Sequence, residues 1–259
     1  MSFLILCILC VVQGLTEFLP VSSSGHLTLI EQIFNVETDM LLLNLFLHLA
    51  TLIAVVIIYR KVIVNLLKKP FQPLTYKLLL STVLTVIFAF AYKALNINDY
   101  VYKIYGFCFL ITAILLFLSH QFQKNSILYK KQELTYKDSI IVGIVQGLAV
   151  VPGISRSGST IAALMFLKND EGKAAEYSFL MSIPVIIGGF VVELLEVENF
   201  STLFSTINIW QYIFAFFLTF IVAVFSLKFT IKMLKNQKFI YFSAYLLIIS
   251  IIVLAMNFI

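Results

Sequence analysis

A chain of 259 residues that is 61% apolar and only 12% charged cannot be a water-soluble globule, because the exterior of such a fold must face water. Its net charge of +5 does not mark a nucleic-acid binder either: fifteen of the eighteen Lys and Arg fall in four short clusters between apolar runs. The expectation is an all-α polytopic membrane protein built as a single membrane domain over 1–259.

In chain order, an apolar stretch at 3–34 comes first, interrupted by "FLPVSSSGH" at 18–26. Its start lacks the basic region and small-residue cleavage site of a signal peptide, so it is expected to belong to the mature structure. Cys7 and Cys10 form a C-x-x-C with no second ligand pair nearby; they and Cys108 are expected to pack. Spans are then predicted at 40–59, 78–95 and 102–119. A second interrupted apolar stretch covers 139–167, and further spans follow at 176–195, 208–228 and 239–258. The basic clusters are 60–77, 124–137, 168–173 and 228–238, while the opposite ends carry Glu37, Asp39, Asp99, Glu193, Glu196 and Glu198. Short basic loops mark the cytoplasmic side, which places both termini outside. For the crossings to alternate, 3–34 and 139–167 must each enter and leave on one side, as re-entrant helix–loop–helix units. The first opens outward and the second inward.

The two halves resemble each other. "VQGL" at 12–15 returns at 145–148, and Ser22, Ser24 and Gly25 match Ser155, Ser157 and Gly158 at the same offset. Repeat one covers about 1–133 and repeat two about 134–259, each a re-entrant hairpin plus three spans. An odd number of crossings inverts the second copy, an architecture whose broken helices meet near the bilayer midplane at a polar site.

Helices that restart after Pro20 and Pro152 in serine-rich sequence present free N–H groups, which suit an oxyanion such as phosphate. The copies differ where chemistry would need them to. Ser23 aligns with Arg156, His26 with Ser159 and Glu17 with Val150. A charge at bilayer depth costs about 2.5–3.5 kcal/mol, so Arg156 and Glu17 call for a reason. They read either as an ion pair locking the repeats together or, with Ser23 and His26, as a phosphoryl-transfer set of nucleophile, acid/base, carboxylate and phosphate clamp. His48 reads as a satisfied core histidine, His120 as interfacial, and Pro184 with Gly188 and Gly189 as devices for close helix packing.

"QGLTEFLPVSSSGH" and "PGISRSG" resemble the two signature motifs of the bacterial undecaprenyl-diphosphate phosphatase family of the bacitracin-resistance type, in motif order and over the whole chain. The resemblance implies hydrolysis of undecaprenyl diphosphate to undecaprenyl phosphate, which recycles the lipid carrier of peptidoglycan synthesis. It also implies a bacterial plasma-membrane location, bacitracin resistance and dependence on a divalent cation, magnesium or calcium. Carried over by position, Glu17, Ser23 and His26 would be catalytic, and Ser155, Arg156 and Thr160 would form the phosphate site. Arg156 counts among the expected catalytic residues. Gln13, Ser22, Ser24, Gly25, Ser155, Ser157, Gly158 and Thr160 are the expected substrate-binding ones, and Glu17 the expected metal ligand. Gln13 stands where many members have a glutamate, so a metal held by two carboxylates is not implied.

Ser23 attacking phosphorus and water attacking directly both remain open. So does a second class of function, a transporter or flippase of a polyprenyl phosphate, because inverted repeats are common in transporters. The expected partners are a polyprenyl diphosphate and the bilayer, with no nucleic acid; a homodimer is compatible with the sequence but not demanded by it.

Overall fold

The computed structural model describes residues 2–36, 40–95, 98–125, 130–195 and 208–256. Among them are eleven helices and no strand: α1 (Phe3–Thr16), α2 (Ser23–Ile33), α3 (Leu41–Ile58), α4 (Arg60–Lys68), α5 (Pro73–Ala94), α6 (Asn98–Asn125), α7 (Tyr136–Leu148), α8 (Arg156–Phe166), α9 (Glu171–Leu195), α10 (Ile209–Lys235) and α11 (Ile240–Met256). Helices α3, α5, α6, α9 and α10 are long and apolar enough to cross a bilayer, and α11 is a shorter apolar helix. Large apolar side chains stand exposed along them, among them Phe90, Phe225 and Ile248, as lipid-facing helices require. The chain is a multi-pass membrane protein.

The six expected spans are all helices, several of them longer than their apolar runs. Proline at the first position of α5 starts it five residues early, since its missing N–H would be unpaired there in any case. One expected basic loop is instead a helix. Val62, Ile63, Leu66 and Leu67 recur at helical spacing, so α4 forms with one apolar side and no buried residue. Of the acidic residues expected outside, Glu37, Asp39, Glu196 and Glu198 lie outside the described residues, and so do 257–259.

Both interrupted stretches are helix–break–helix units, α1/α2 and α7/α8. A proline ring clashes with the carbonyl four residues before it. Accordingly α1 ends at Thr16, four before Pro20, and α7 ends at Leu148, four before Pro152. The next helix restarts at a serine cap in each unit: Ser22 Oγ accepts from Gly25 N at 3.4 Å and Ser155 Oγ from Gly158 N at 3.0 Å.

Helix partners exchange between the halves. Helix α1 packs on α10 and α7 on α5, α3 on α10 and α9 on α5, while α3–α9 and α6–α11 pair across. Hydroxyls bonded to carbonyls hold these contacts: Ser81 to Ser139 O at 2.9 Å, Thr85 to Gly143 O at 3.1 Å, Thr219 to Cys10 O at 3.2 Å and Ser226 to Leu15 O at 2.6 Å. Small residues let the backbones approach. A Cβ on Gly143 would lie 2.8 Å from the Ser81 backbone, and one on Gly14 would lie 2.8 Å from Thr219 O.

The basic clusters gather at one end of the bundle. Lys131 bridges to Asn169 through backbone bonds, Lys77 Nζ donates to Leu134 O, Lys130 pairs with Glu171, and Lys235 lies beside Gly172.

Candidate active site

The two breaks, 17–22 and 149–155, meet inside the bundle. Ser157 Oγ donates to Leu19 O at 3.2 Å, joining one to the other. Between them lies a cavity of about 320 Å³, lined at the tips by Glu17, Ser23, Ser24, Ser155, Arg156 and Ser157. Leu45 and His48 of α3 and Val185, Ile186, Gly189 and Phe190 of α9 form much of the rest of its wall.

Glu17 organises the polar end. Ser23 Oγ donates to its Oε2 at 2.6 Å, Gln13 Nε2 donates to the same oxygen at 3.1 Å, and Arg156 Nη2 donates to Oε1. Glu17 is almost fully buried, so its charge needs this guanidinium and these donors. Beyond the N–H groups of Gly25 and Gly158 that the serine caps take, those of Ser23, Ser24, Arg156 and Ser157 in the first turns of α2 and α8 have no acceptor inside their own helices. With Arg156, they form an electropositive lining around a serine hydroxyl that is already hydrogen-bonded to a carboxylate. That arrangement suits an oxyanion with an electrophilic centre.

Not every expected residue is here. Gln13 sits behind Glu17, fully buried and away from the cavity, and acts on the carboxylate rather than on a ligand. Gly25 packs against Phe109 and Gly153, where a Cβ would lie 2.5 Å from the phenyl ring. Gly158 supplies the N–H that Ser155 caps. Thr160 is fully buried, bonded to Ser178 Oγ at 2.6 Å and to the Arg156 carbonyl at 2.9 Å. These three shape the site without lining it. Most different from expectation is His26, which points away from the cavity. Its Nδ1 lies 2.7 Å from Ser22 O and its Nε2 lies 2.8 Å from the Tyr245 hydroxyl.

Two residues enter instead. His48 lines the cavity, with Nε2 at 4.0 Å from Glu17 Oε2, and is not enclosed in the core as expected. Its Nδ1 lies 2.8 Å from the Asn44 carbonyl, which leaves Nε2 facing the cavity. Gln146, the repeat mate of Gln13, lines the cavity too. Its Nε2 donates to Thr85, and its buried Oε1 has no hydrogen-bond partner. The repeated "VQGL" could have pointed to Gln146; nothing local to α3 singles out His48. Gly188 and Gly189, expected to bring helices close, do not: a Cβ on either would meet nothing within 4 Å.

The cavity lies toward the end away from the basic clusters. His48 is ten residues before the end of α3 at that basic end, about 15 Å at 1.5 Å per residue, and Phe190 is nineteen residues into α9, about 28 Å.

Residues 6–252 match the family described as bacitracin resistance protein BacA. Among similar curated proteins, the undecaprenyl-diphosphatase of Carboxydothermus hydrogenoformans is 35% identical over 256 residues, covering 96% of this chain and 95% of the relative. That of Thermosipho melanesiensis is 41% identical over 251 residues, covering 94% and 95%. A third, from Methanococcus maripaludis, is 39% identical over 259 residues, covering 95% and 97%.

Proposed function

The chain belongs to the BacA bacitracin-resistance family, and from that membership and its cavity we propose that it hydrolyses undecaprenyl diphosphate to undecaprenyl phosphate and inorganic phosphate. The observation that carries this reading is the Ser23–Glu17–Arg156 cluster: a nucleophile bonded to a base, beside a phosphate clamp. A transporter needs to bind an anion but has no use for a hydroxyl activated by a carboxylate.

In the proposed reaction Ser23 Oγ attacks the terminal phosphorus and its proton passes to Glu17 Oε2. The new O–P bond forms as the bridging O–P bond breaks, and undecaprenyl phosphate leaves. Water then attacks the phosphoserine, giving a proton to the Nε2 of His48. The Ser23 O–P bond breaks, Ser23 recovers its proton from Glu17, and phosphate is released as His48 gives up its proton to the departing phosphate and solvent. Arg156, freed from part of its pairing with Glu17, grips two non-bridging oxygens, and the N–H groups of α2 and α8 take the rest.

A divalent cation fits this site only as a shared one. Among the described residues no three His, Cys, Asp or Glu converge on a point, and Glu17 is the cavity's single carboxylate. Magnesium or calcium would be held chiefly by the diphosphate oxygens, with Glu17 as one protein ligand, as is common for hard cations. Bound there, the ion would neutralise charge on the phosphates.

We place the basic end of the bundle in the cytoplasm. The two repeats are then inverted, both termini lie outside, and the cavity opens to the outer face of the plasma membrane. The diphosphate enters from the outer leaflet and the polyprenyl tail stays in lipid.

The test is phosphate release from a polyprenyl diphosphate by purified protein in detergent, where transport has no meaning. Ser23→Ala and Glu17→Ala should each lower turnover at least about a hundredfold, the lower range for loss of acid–base or nucleophilic help. Wild-type protein that releases no phosphate refutes the hydrolase. A folded Ser23→Ala variant with normal turnover makes water the direct attacker.

A further inference from the structure

Ser22 caps α2 from an unusual backbone position. Its φ of 69° and ψ of 96° lie in the left-handed half of the map, which a residue with a Cβ rarely occupies. Its repeat mate Ser155 caps α8 from φ −74° and ψ 116°, an ordinary extended cap. The first break therefore needs a restraint that the second does not, and the residues four positions on differ to match. Ser22 is followed by His26, whose Nδ1 reaches back to the Ser22 carbonyl at 2.7 Å. Ser155 is followed by Ser159, whose buried Oγ has no hydrogen-bond partner.

The outer anchors also correspond. Thr112 of α6 accepts directly from Ser155 N at 3.1 Å. The residue 133 positions after Thr112 is Tyr245 of α11, whose hydroxyl lies 2.8 Å from His26 Nε2. Each cap is thus tied to a helix of the opposite repeat, directly in one half and through an imidazole in the other. The ring itself is clamped, parallel to Tyr245 at 5.7 Å and edge-on to Phe109 at 5.2 Å. With the Ser22 carbonyl as acceptor, Nδ1 carries the proton and Nε2 accepts from the Tyr245 hydroxyl. Both ring nitrogens are used, and neither faces the cavity.

We propose that His26 and Tyr245 are positioning residues: together they brace the Ser22 peptide so that Ser23 and the first turn of α2 face the cavity, and His26 transfers no proton in the reaction. This rests on the hydrolase reading above. The brace has a consequence that acid–base catalysis does not share. Asparagine places an amide N–H on the atom that corresponds to Nδ1, so it can still hold the Ser22 carbonyl, but it cannot exchange protons near neutral pH. Phenylalanine keeps the ring and its packing and loses both bonds.

The experiment measures kcat and KM for a polyprenyl diphosphate in detergent for wild type, His26→Asn, His26→Phe and Tyr245→Phe, with thermal unfolding to check the fold. The brace predicts His26→Asn within about tenfold of wild type and His26→Phe about a hundredfold down in kcat, the cost of a misplaced nucleophile. Tyr245→Phe, which loosens only the far anchor, falls between wild type and His26→Phe. A folded His26→Asn as inactive as His26→Phe overturns the proposal in favour of proton transfer, whereas wild-type kinetics in His26→Phe overturns it by showing that neither bond of the imidazole is needed. Wild-type kinetics in Tyr245→Phe removes Tyr245 from the brace. If wild type itself releases no phosphate, the hydrolase reading has failed and the brace falls with it.

Discussion

At the scale of single residues, Glu17 is the hub through which the site is organised. A carboxylate this deeply buried persists as a charge only while its partners hold it, and Arg156 is the cation bonded to it directly. Lysine in its place would keep the charge and lose the planar fork that grips two oxygens at once. Arg156→Lys should therefore raise KM and lower kcat together, measured as phosphate release; unchanged kinetics would reduce Arg156 to a structural cation. Gln13 bears on the same carboxylate from behind, at 3.1 Å. Replacing it by glutamate sets a second negative charge against Glu17 where a donor stood. Gln13→Glu should make turnover depend more steeply on added magnesium or calcium, because a cation would relieve the repulsion. A metal titration that superimposes on wild type would count against any ion at Glu17.

At the scale of elements, close approach of helices holds the two breaks in place. Helix α7 leads straight into the 149–155 break, and its Gly143 lies against the backbone of α5. In an isolated helix, glycine to alanine gains about 1 kcal/mol. Here the added methyl would meet the Ser81 Cα and carbonyl at 2.8 Å and push the helices apart. Gly143→Ala should therefore lower the melting temperature in detergent and reduce turnover, since Arg156 follows that break. Gly188→Ala is the matched control in α9, with open space around it. It should hold or raise the melting temperature. Equal destabilisation by both would mean that the contact between α5 and α7 is not what restricts residue 143.

At the scale of the whole molecule, the proposed function commits the cavity to one face of the membrane. The basic clusters meet at one end and the cavity is lined by the parts of α3 and α9 remote from it. Ser24 is exposed to the cavity and free of the backbone strain at Ser22, which makes it the better reporter. A Ser24→Cys protein with Cys7, Cys10 and Cys108 replaced should react, in intact cells, with a membrane-impermeant thiol reagent added outside. Pyrophosphate should protect it. Labelling only after the inner face is opened would invert the topology.

Much of this molecule follows from sequence because a bilayer leaves so few choices. Apolar runs become helices since their backbone has no other partner, and prolines at 20 and 152 end helices four residues earlier by local sterics. The repeat is a matter of matching letters, so the meeting of Glu17 with Arg156 across 139 residues could be anticipated. What a side chain faces is a different matter, because it depends on helix rotation and on neighbours distant in sequence. Ser23 and His26 are three apart on one helix, yet one reaches Glu17 and the other is drawn away by Tyr245, 219 positions along the chain. His48 looks the same in sequence whether enclosed or facing a cavity; only the packing of α3 against α9 and α10 turns it inward. Composition and local stereochemistry determined the helices, their breaks and the polar residues at the tips. Tertiary packing alone decided which imidazole faces the cavity, because that choice is made by contacts no local stretch contains.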